Sequence, residues 1–367
     1  MTRDISYVLP LKWNEPGPVG ELAAYLAEIA PSVGELIVVD GSPGEIFARH
    51  REAFGRYAAH VRPDPGLAFL NGKVNGVVTG VRRSRNELVI IADDDVRYGT
   101  AELARAAELL RNADLVRPQN YFVTWPWHAL WDGPRSLINR VGTGDRVFPR
   151  GDFPGTLAVR RSAFITAGAY DGDCLFENLE LMRTVRAAGG RVVTPLDLFV
   201  ARTPPSAAHF FSQRIRQAYD DRAMPLRAAF FLAMLPAAVC LRGRRRRAFL
   251  GALTLASVAV AERGRQVAGA DRYFPVAASL MAPLWVGERA LCSWLALGSA
   301  IRGGARYGGR RLPRAANSVR RLRERIPARA RAREERRALS PAGSGPARFP
   351  GVRAVRRSRP TRGSQPR

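Results

Sequence analysis

Cysteine, which cross-links small folds through disulfides and binds structural metals, is scarce in the sequence. The 367 residues include only three cysteines, Cys174, Cys240 and Cys292. Their wide spacing matches neither a zinc-binding pattern nor an even disulfide framework. A chain of this length can bury a sizeable core without such links. We therefore expect a reducing, cytoplasmic setting and one α/β domain with an accessory region.

Lysine is also scarce, although the chain is strongly basic. Lys12 and Lys73 are the only lysines, and arginine supplies the rest of the positive charge behind a net charge of +26. Residues 302–367 hold 21 arginines against three glutamates, so this tail carries +18 and the rest of the chain +8. Gly, Pro, Ser and Arg dominate the tail, which predicts disorder except for a short helix near Ser318–Arg325. The favoured partner of the tail is an anionic membrane surface, and nucleic acid is the disfavoured one.

Apolar runs of the length that spans a membrane are missing or interrupted. Ala228–Leu241 and Ala248–Ala261 have 14 residues each and flank an arginine cluster, whereas a spanning helix needs about 20 residues. Tyr273–Ile301 is long enough but contains Glu288 and Arg289. These stretches predict re-entrant or interfacial helices, with a buried helical subdomain as the alternative. Because no secretory leader pattern opens the chain, we expect it at the cytoplasmic face of the cell membrane.

The first 120 residues alternate short apolar runs with helical patterns. This alternation is typical of βαβ units and a mostly parallel sheet. The predicted strands are Ile5–Leu9, Glu35–Asp40, His60–Arg62, Glu87–Ala92 and Asp114–Arg117. The predicted helices are Val19–Ala30, Gly72–Arg83 and Thr100–Arg111. Further along, the patterns predict a strand at Thr156–Arg160, a helix that begins near Asn178 and a polar helix at Gln213–Asp221.

Acidic residues follow two of these predicted strands. Asp40 ends the second strand, and Asp93, Asp94 and Asp95 follow the fourth. In open α/β sheets, ligands bind beyond the carboxyl ends of the strands. Asp93 and Asp95 point to the same side of an extended chain, and carboxylates are preferred ligands of divalent cations. The triplet therefore predicts a metal site, with a solvated turn as the alternative.

Two further residues are candidates for binding a nucleotide. Asp40 could accept hydrogen bonds from a base or a ribose, or it could simply form a turn. Lys73 lies at the start of a predicted helix, where an amine and free backbone N–H groups can bind phosphate oxygens. An exposed lysine in the first helical turn is the alternative for Lys73.

Seven short motifs, taken together and in order, resemble those of the family 2 glycosyltransferases. The motifs are Val8–Leu11, Val38–Ser42, Gly72-Lys73 with Gly80, Ile91–Val96, Gly155–Arg161, Phe176–Leu181 with Arg183, and Gln213–Arg216. They cover about residues 5–222. The resemblance implies a GT-A domain at 1–222, an apolar, helical, membrane-associated region at 223–301 and the Arg-rich tail at 302–367.

The resemblance also implies an activity and its ligands. The expected reaction is inverting transfer of a sugar from a nucleoside diphosphate donor to a hydroxyl of a membrane-proximal acceptor, either lipid-linked or a polysaccharide. Mg²⁺ or Mn²⁺ would be held by Asp93 and Asp95. The expected donor contacts are Pro10, Leu11, Glu15, Asp40, Lys73, Asp93, Asp94, Gln213 and Arg216.

The catalytic base is less closely defined by the motifs. The family's Glu-Asp pair is Glu177-Asn178 here, so the role falls to Glu177, with Glu180 and Asp152 as alternatives. The tryptophan that follows the Gln-x-x-Arg motif in processive members is replaced by Gln217. Among the aromatic residues between the acidic triplet and Glu177, the expected acceptor contacts are Trp127 and its neighbour His128.

Two other functions stay open at this stage. A nucleotidyltransferase could use the same sheet and acidic triplet, but it would need a basic, Gly-rich phosphate loop, and Pro10–Gly20 offers only Lys12. The chain could also be a catalytically silent, nucleotide-sugar-binding module at the membrane, since the Glu-Asp pair has become Glu177-Asn178.

Overall fold

A computed structural model describes residues 2–142, 150–168 and 170–326. Its strands are β1 (Ile5–Leu11), β2 (Glu35–Asp40), β3 (Ala59–Val61), β4 (Leu88–Ala92), β5 (Val96–Arg97), β6 (Leu115–Val116), β7 (Gln119–Phe122), β8 (Thr156–Arg160), β9 (Val192–Val193), β10 (Phe199–Arg202), β11 (Ala305–Tyr307) and β12 (Arg310–Leu312). Its helices are α1 (Val19–Ile29), α2 (Gly44–Phe54), α3 (Gly72–Arg83), α4 (Thr100–Leu110), α5 (Trp127–Arg140), α6 (Arg161–Thr166), α7 (Glu177–Ala187), α8 (Ala207–Asp220), α9 (Pro225–Cys240), α10 (Gly243–Gln266), α11 (Val276–Leu280) and α12 (Ala282–Ile301). Short 3₁₀ helices lie at Ala30–Ser32, Asp221–Ala223 and Val267–Arg272.

Within the described residues, the central sheet has the strand order β3-β2-β1-β4-β8-β6-β9. Strand β1 pairs in parallel with β2 and β4, and β2 pairs in parallel with β3. Strand β8 is antiparallel to both β4 and β6. A smaller sheet has the order β5-β10-β7. The predicted α/β architecture with a mostly parallel central sheet is confirmed.

Helix α3 packs closely against the central sheet and so determines where Lys73 lies. Its buried face consists of Val74, Val77, Val78 and Val81, each of which is at most 1% exposed. A Cβ on Gly80 would lie 2.2 Å from Val8 Cγ1 in β1, so only glycine permits this approach. The helix begins at the carboxyl ends of β1 and β4, where the acidic triplet also lies.

Helices α10, α11 and α12 pack against α5, α12 also packs against α8, and α9 packs against α12. Trp285 of α12 is fully buried, and Phe231 and Leu137 belong to the same core cluster. Arg289, whose charge interrupts the third apolar stretch, is buried and its Nη1 lies 3.3 Å from Asp221 Oδ2. In the part of the chain that is described, no helix has both the length and the apolar character needed to cross a membrane.

The segment after α12 corrects the expectation of disorder from residue 302. Strands β11 and β12 form a hairpin, and residues 319–326 are helical as predicted. Leu312 and Leu322 are fully buried, and backbone N–H groups of Leu175 and Phe176 donate to carbonyls of the segment. A few apolar side chains and a paired backbone therefore suffice to fix 302–326 on the domain. The remainder of the predicted tail, 327–367, lies outside the described residues.

Candidate active site

A cavity of about 210 Å³ opens at the edge where β4 ends. Several elements that are distant in sequence supply its walls. The polar and aromatic residues that line it include Lys73, Asp93, Arg135, Asn139, Glu177, Asn178, Arg202, Gln213, Arg216, Gln217, Asp220, Asp221, Arg227, Arg289 and Tyr307. The motifs that were separate in the sequence, from Lys73 to Arg216, thus meet around one space.

Lys73 joins two of the predicted acidic residues. Asn71 caps α3 by accepting a hydrogen bond from the Lys73 backbone N–H, which fixes the start of the helix. The Lys73 Nζ lies 2.6 Å from Asp93 Oδ1 and 2.7 Å from Glu177 Oε1. Burial lowers the pKa of Lys73, but the carboxylates of Asp93 and Glu177 raise it by more, so the net shift is upward. The ammonium therefore stays charged between two carboxylates.

Asp93 and Asp95 have the surroundings of cation ligands. Burial raises the pKa of Asp93 to about 6, although Lys73 opposes the rise. Arg202 Nε donates to Asp95 Oδ2 at 2.7 Å, and its Nη2 lies 2.7 Å from the same oxygen, while the buried Asp95 Oδ1 has no hydrogen-bond partner. A Cβ on Gly155 would lie 2.9 Å from Asp93 Oδ2, so the glycine keeps space beside that carboxylate. An unsatisfied carboxylate oxygen beside a second carboxylate fits Mg²⁺ or Mn²⁺, which prefer oxygen ligands.

Asp94 differs from the other two acids of the triplet in its hydrogen-bond partner, which is Trp13. Trp13 Nε1 donates to Asp94 Oδ2 at 2.5 Å, and the Trp13 backbone N–H donates to Ser42 Oγ at 2.9 Å. Burial raises the pKa of Asp94, and the nearby charge of Asp95 raises it further. Asp94 therefore ties the loops after β1 and β2 to the end of β4.

Asp40 is placed differently from the prediction. Its carboxylate is fully buried, is not among the groups that line the cavity, and lies 2.8 Å from His50 Nδ1 and 2.9 Å from His60 Nε2. It also accepts a hydrogen bond from the Ser42 backbone N–H at 2.8 Å. Burial raises the pKa of Asp40, but the hydrogen bonds from His60, Ser42 and His50 lower it to well below its ordinary value. In this arrangement Asp40 holds the loop that contains Ser42 instead of facing a nucleotide.

The residues predicted at the end of the first strand also lie outside the lining of the cavity. Leu11 is buried in the core. Pro10 is half-buried and approaches α3, since a Cβ on Gly76 would lie 2.9 Å from Pro10 Cβ. Glu15 is exposed. The structure gives these three positions no direct contact with the cavity.

Two of the three candidates for the base are corrected by their burial. Glu180 is fully buried and accepts hydrogen bonds from the Asn317 backbone N–H at 2.7 Å and from Asn317 Nδ2 at 2.8 Å. Burial raises the pKa of Glu180. Asp152 is 2% exposed and accepts hydrogen bonds from Arg135 Nη1 at 2.7 Å and from Ser136 Oγ at 2.5 Å. Both carboxylates hold parts of the fold together, and of the three only Glu177 lines the cavity.

Helix α8 presents the Gln-x-x-Arg motif to the cavity as the resemblance implied. Gln213, Arg216, Gln217 and Asp220 share one face because residues three and four apart are neighbours on a helix. The Arg216 guanidinium lies 5.3 Å from the centre of the Tyr307 ring. Arg214 points the other way, and its Nη1 lies 2.8 Å from Asp132 Oδ1.

The predicted acceptor contacts are not part of this space. Trp127 is 52% exposed and packs against Phe210 and Phe211 of α8. His128 is buried, and its Nε2 lies 2.7 Å from the carbonyl oxygen of Pro205. Neither residue lines the cavity.

Several site residues were not found by reasoning from the sequence. Trp13, Arg202, Asp220 and Tyr307 contact or line the site without belonging to a quoted motif. Asp220 had a detectable signal, since it follows Arg216 by four residues in a predicted helix. Tyr307 had none, because it lies in the segment whose composition predicts disorder.

No protein-family model and no curated protein sequence matches the chain. Among solved structures, the chain is similar to a mannosyltransferase from Pyrobaculum calidifontis in complex with GDP-Man and Mn²⁺. The sequence identity is 18%, the match covers 80% of this chain and 88% of that chain, and the TM-score is 0.48. It is also similar to glucosyl-3-phosphoglycerate synthase from Mycobacterium tuberculosis in complex with Mn²⁺ and UDP-Glc. There the identity is 18%, the coverage is 59% and 77%, and the TM-score is 0.40.

Proposed function

We propose that this chain is a metal-dependent, inverting glycosyltransferase with the GT-A fold, which moves a sugar from a nucleoside diphosphate to a hydroxyl group. The ion-paired cluster of Asp93, Lys73 and Glu177 carries this proposal. It lies where β4 ends and lines one cavity with Arg216 and Gln213. The carboxylates of such a site can bind a divalent metal ion, and its lysine and arginine side chains can bind the oxygens of a diphosphate.

Each part of the site has a chemical role in this reaction. Asp93 and Asp95 would hold Mg²⁺ or Mn²⁺, which supplies charge neutralisation for the departing diphosphate. Arg216 and Gln213 donate hydrogen bonds to diphosphate oxygens, which strengthen as negative charge develops there. Lys73 keeps Asp93 and Glu177 in position and offers its ammonium to the donor. Trp13, held by Asp94 and Ser42, fixes the loop after β1 beside the site.

Hydrolysis of nucleotide sugars tests the proposal without knowledge of the acceptor. UDP-glucose and GDP-mannose would be incubated with the protein and MnCl₂, and released nucleoside diphosphate would be measured. Asp95→Asn should lower turnover by about 100-fold or more, because metal stabilisation of the leaving group contributes several kcal/mol. Asp197→Asn is the matched control, since Asp197 is exposed and is not among the residues that line the cavity.

The outcomes separate the remaining alternatives. Undiminished turnover by Asp95→Asn would contradict the assignment of the metal ligands. Nucleotide-sugar binding by the wild-type protein without turnover would favour the catalytically silent binding module. Release of pyrophosphate from a nucleoside triphosphate would favour the nucleotidyltransferase.

We further propose that the acceptor is membrane-proximal, lipid-linked or polysaccharide, and that the protein acts at the cytoplasmic face of the cell membrane. Large apolar side chains are exposed on each of the last helices, including Val239, Leu255, Leu280 and Ile301. Residues 244–247, four consecutive arginines at the start of α10, are exposed as well. Exposed apolar and basic side chains together suit an anionic lipid surface.

Vesicle binding tests this part of the proposal separately. The full chain should sediment with phosphatidylglycerol vesicles and much less with phosphatidylcholine vesicles, because basic residues near an anionic surface contribute about 1 kcal/mol each. Replacement of the four arginines at 244–247 by glutamine should weaken sedimentation and leave hydrolysis of UDP-glucose unchanged. Equal binding of the wild-type protein to both kinds of vesicle would contradict the electrostatic contribution.

A further inference from the structure

The cavity contains a carboxylate that none of the motifs assigns. Asp220 is the last residue of α8, one helical turn after Arg216, and it lines the cavity. Its Oδ1 is buried and has no hydrogen-bond partner. Burial of a polar oxygen without a partner costs free energy, so a carboxylate kept in this state calls for a functional explanation.

The other carboxylates that line the cavity are already paired with cations. Asp93 and Glu177 share the ammonium of Lys73. Asp221 Oδ1 lies 2.8 Å from Arg227 Nε, and its Oδ2 lies 3.3 Å from Arg289 Nη1. A carboxylate held by a cation is a weaker base than one without such a partner. Among the lining residues that the structure describes, Asp220 is therefore the carboxylate that is not held in an ion pair.

The neighbour of Glu177 cannot supply the missing base. Asn178 is an amide, which does not accept a proton at neutral pH, and its Nδ2 donates to the Pro154 carbonyl at 2.8 Å. This hydrogen bond anchors the loop before Gly155, which leaves space beside Asp93. Asn178 therefore has a structural role, and the carboxylate of the usual pair must be found elsewhere.

We propose that Asp220 is the general base of the transfer reaction, an inference that rests on the proposed function. The Asp220 carboxylate takes the proton of the acceptor hydroxyl while the hydroxyl oxygen forms a bond to the anomeric carbon. The bond from that carbon to the β-phosphate oxygen breaks, and its electron pair leaves on the nucleoside diphosphate. The proton on Asp220 then passes to solvent, so the carboxylate is restored.

The charges around Asp220 suit this role. Burial raises its pKa well above the ordinary value, Arg216 lowers it, Glu177 and Asp221 raise it, and Arg289 lowers it. These groups face Asp220 from α8, α7, the following 3₁₀ helix and α12. A carboxylate whose pKa lies closer to the working pH is a more effective base, and such assistance typically contributes 10²–10⁴-fold.

A comparison of two nucleophiles tests the inference. Water must lose a proton when it attacks the anomeric carbon, whereas azide attacks without losing one. In Asp220→Asn, hydrolysis of UDP-glucose or GDP-mannose with MnCl₂ should fall by about 10²–10⁴-fold. Formation of the glycosyl azide should stay within about threefold of wild type, because only the proton transfer is removed. The variant should also fold and bind nucleoside diphosphate normally, since it breaks no ion pair.

Three results would overturn the inference. Hydrolysis by Asp220→Asn within about threefold of wild type would exclude Asp220 as the base. Equal loss of the water and azide reactions would mean that Asp220 positions the donor instead. If Glu177→Gln lost hydrolysis but still formed the glycosyl azide, while Asp220→Asn stayed fully active, the base would be Glu177. If the wild-type protein forms neither product, the proposed glycosyl transfer itself is refuted before any variant is compared.

Discussion

The ion-paired cluster around Lys73 makes a quantitative prediction about stability. Lys73→Met removes the only cation between Asp93 and Glu177 that lies within ion-pair distance of both in the described structure. The two ion-pair distances are 2.6 Å and 2.7 Å, so the carboxylate oxygens lie at most 5.3 Å apart. At an effective dielectric constant of about 20, two unit charges at this largest separation repel by about 3 kcal/mol, and closer charges repel more. The side chains are 16% and 25% exposed, so solvent reduces the effect.

We therefore expect Lys73→Met to lower the free energy of unfolding by about 2–3 kcal/mol in the presence of EDTA, somewhat less than for a fully buried pair. Urea denaturation followed by circular dichroism would measure it. The variant should gain more stability from MnCl₂ than wild type does, because a divalent cation can take over the neutralisation of Asp93.

Lys12→Met provides a matched control. Lys12 is the other lysine of the chain, and it is exposed. Its replacement should change the free energy of unfolding by about 0.5 kcal/mol or less, as is usual for surface positions. If Lys73→Met in EDTA were as stable as Lys12→Met, the ion pairs of Lys73 would contribute nothing to the stability of the fold, contrary to the prediction.

Three further predictions concern buried polar groups and cysteines. Asn317→Ala should destabilise the fold by about 1–3 kcal/mol in urea denaturation, because Glu180 loses a side-chain donor; the exposed Asn112→Ala should not. Burial raises the pKa of Asp132, but Arg135 and Arg214 lower it to well below the ordinary value. The stabilisation of the fold by ionised Asp132 is therefore present above about pH 4 and is lost as the pH falls toward the folded-state pKa. The difference in free energy of unfolding between wild type and Asp132→Asn, measured in urea, should shrink from pH 6 to pH 3. A constant difference would contradict this prediction. Cys240 is exposed, whereas Cys174 and Cys292 are buried. Burial raises the pKa of both buried thiols, that of Cys292 to about 11. A thiol reagent should therefore label one cysteine quickly in the native protein and three in urea, and rapid labelling of Cys240→Ser would contradict the burial of the other two.

Local sequence patterns predicted the regular elements where a single periodicity prevails. The bounds of β2, α3 and β8 are as predicted, because each has a continuous apolar run or a clear capping residue. Helices α2 and α5 were not predicted. Helix α5 contains Gly133 and Pro134, which normally indicate a turn, and its packing against α10, α11 and α12 overrides that preference.

The candidate site was predicted in part, for reasons that differ from residue to residue. Asp93, Lys73 and Glu177 line the cavity because each follows or begins a regular element near the carboxyl edge of the sheet. Arg216 lines it from within α8, on the face that α8 turns to the cavity. Pro10 and Asp40 lie at the same edge, but the half-buried Pro10 contacts α3 and the fully buried Asp40 contacts His50 and His60, so neither lines the cavity. Sequence position gives the edge on which a residue lies, and it does not give the residue's exposure.

The sequence by itself determined the parallel strands and the acids at their carboxyl ends, because alternation and strand ends are local properties. Only the tertiary structure decided which charges meet. Lys73 pairs with Glu177 across 104 residues, and Asn317 binds Glu180 across 137 residues. Such contacts depend on how distant elements pack, so no local pattern encodes them. The same packing fixes residues 302–326, whose composition predicts disorder, because Leu312 and Leu322 find a surface on the domain that buries them.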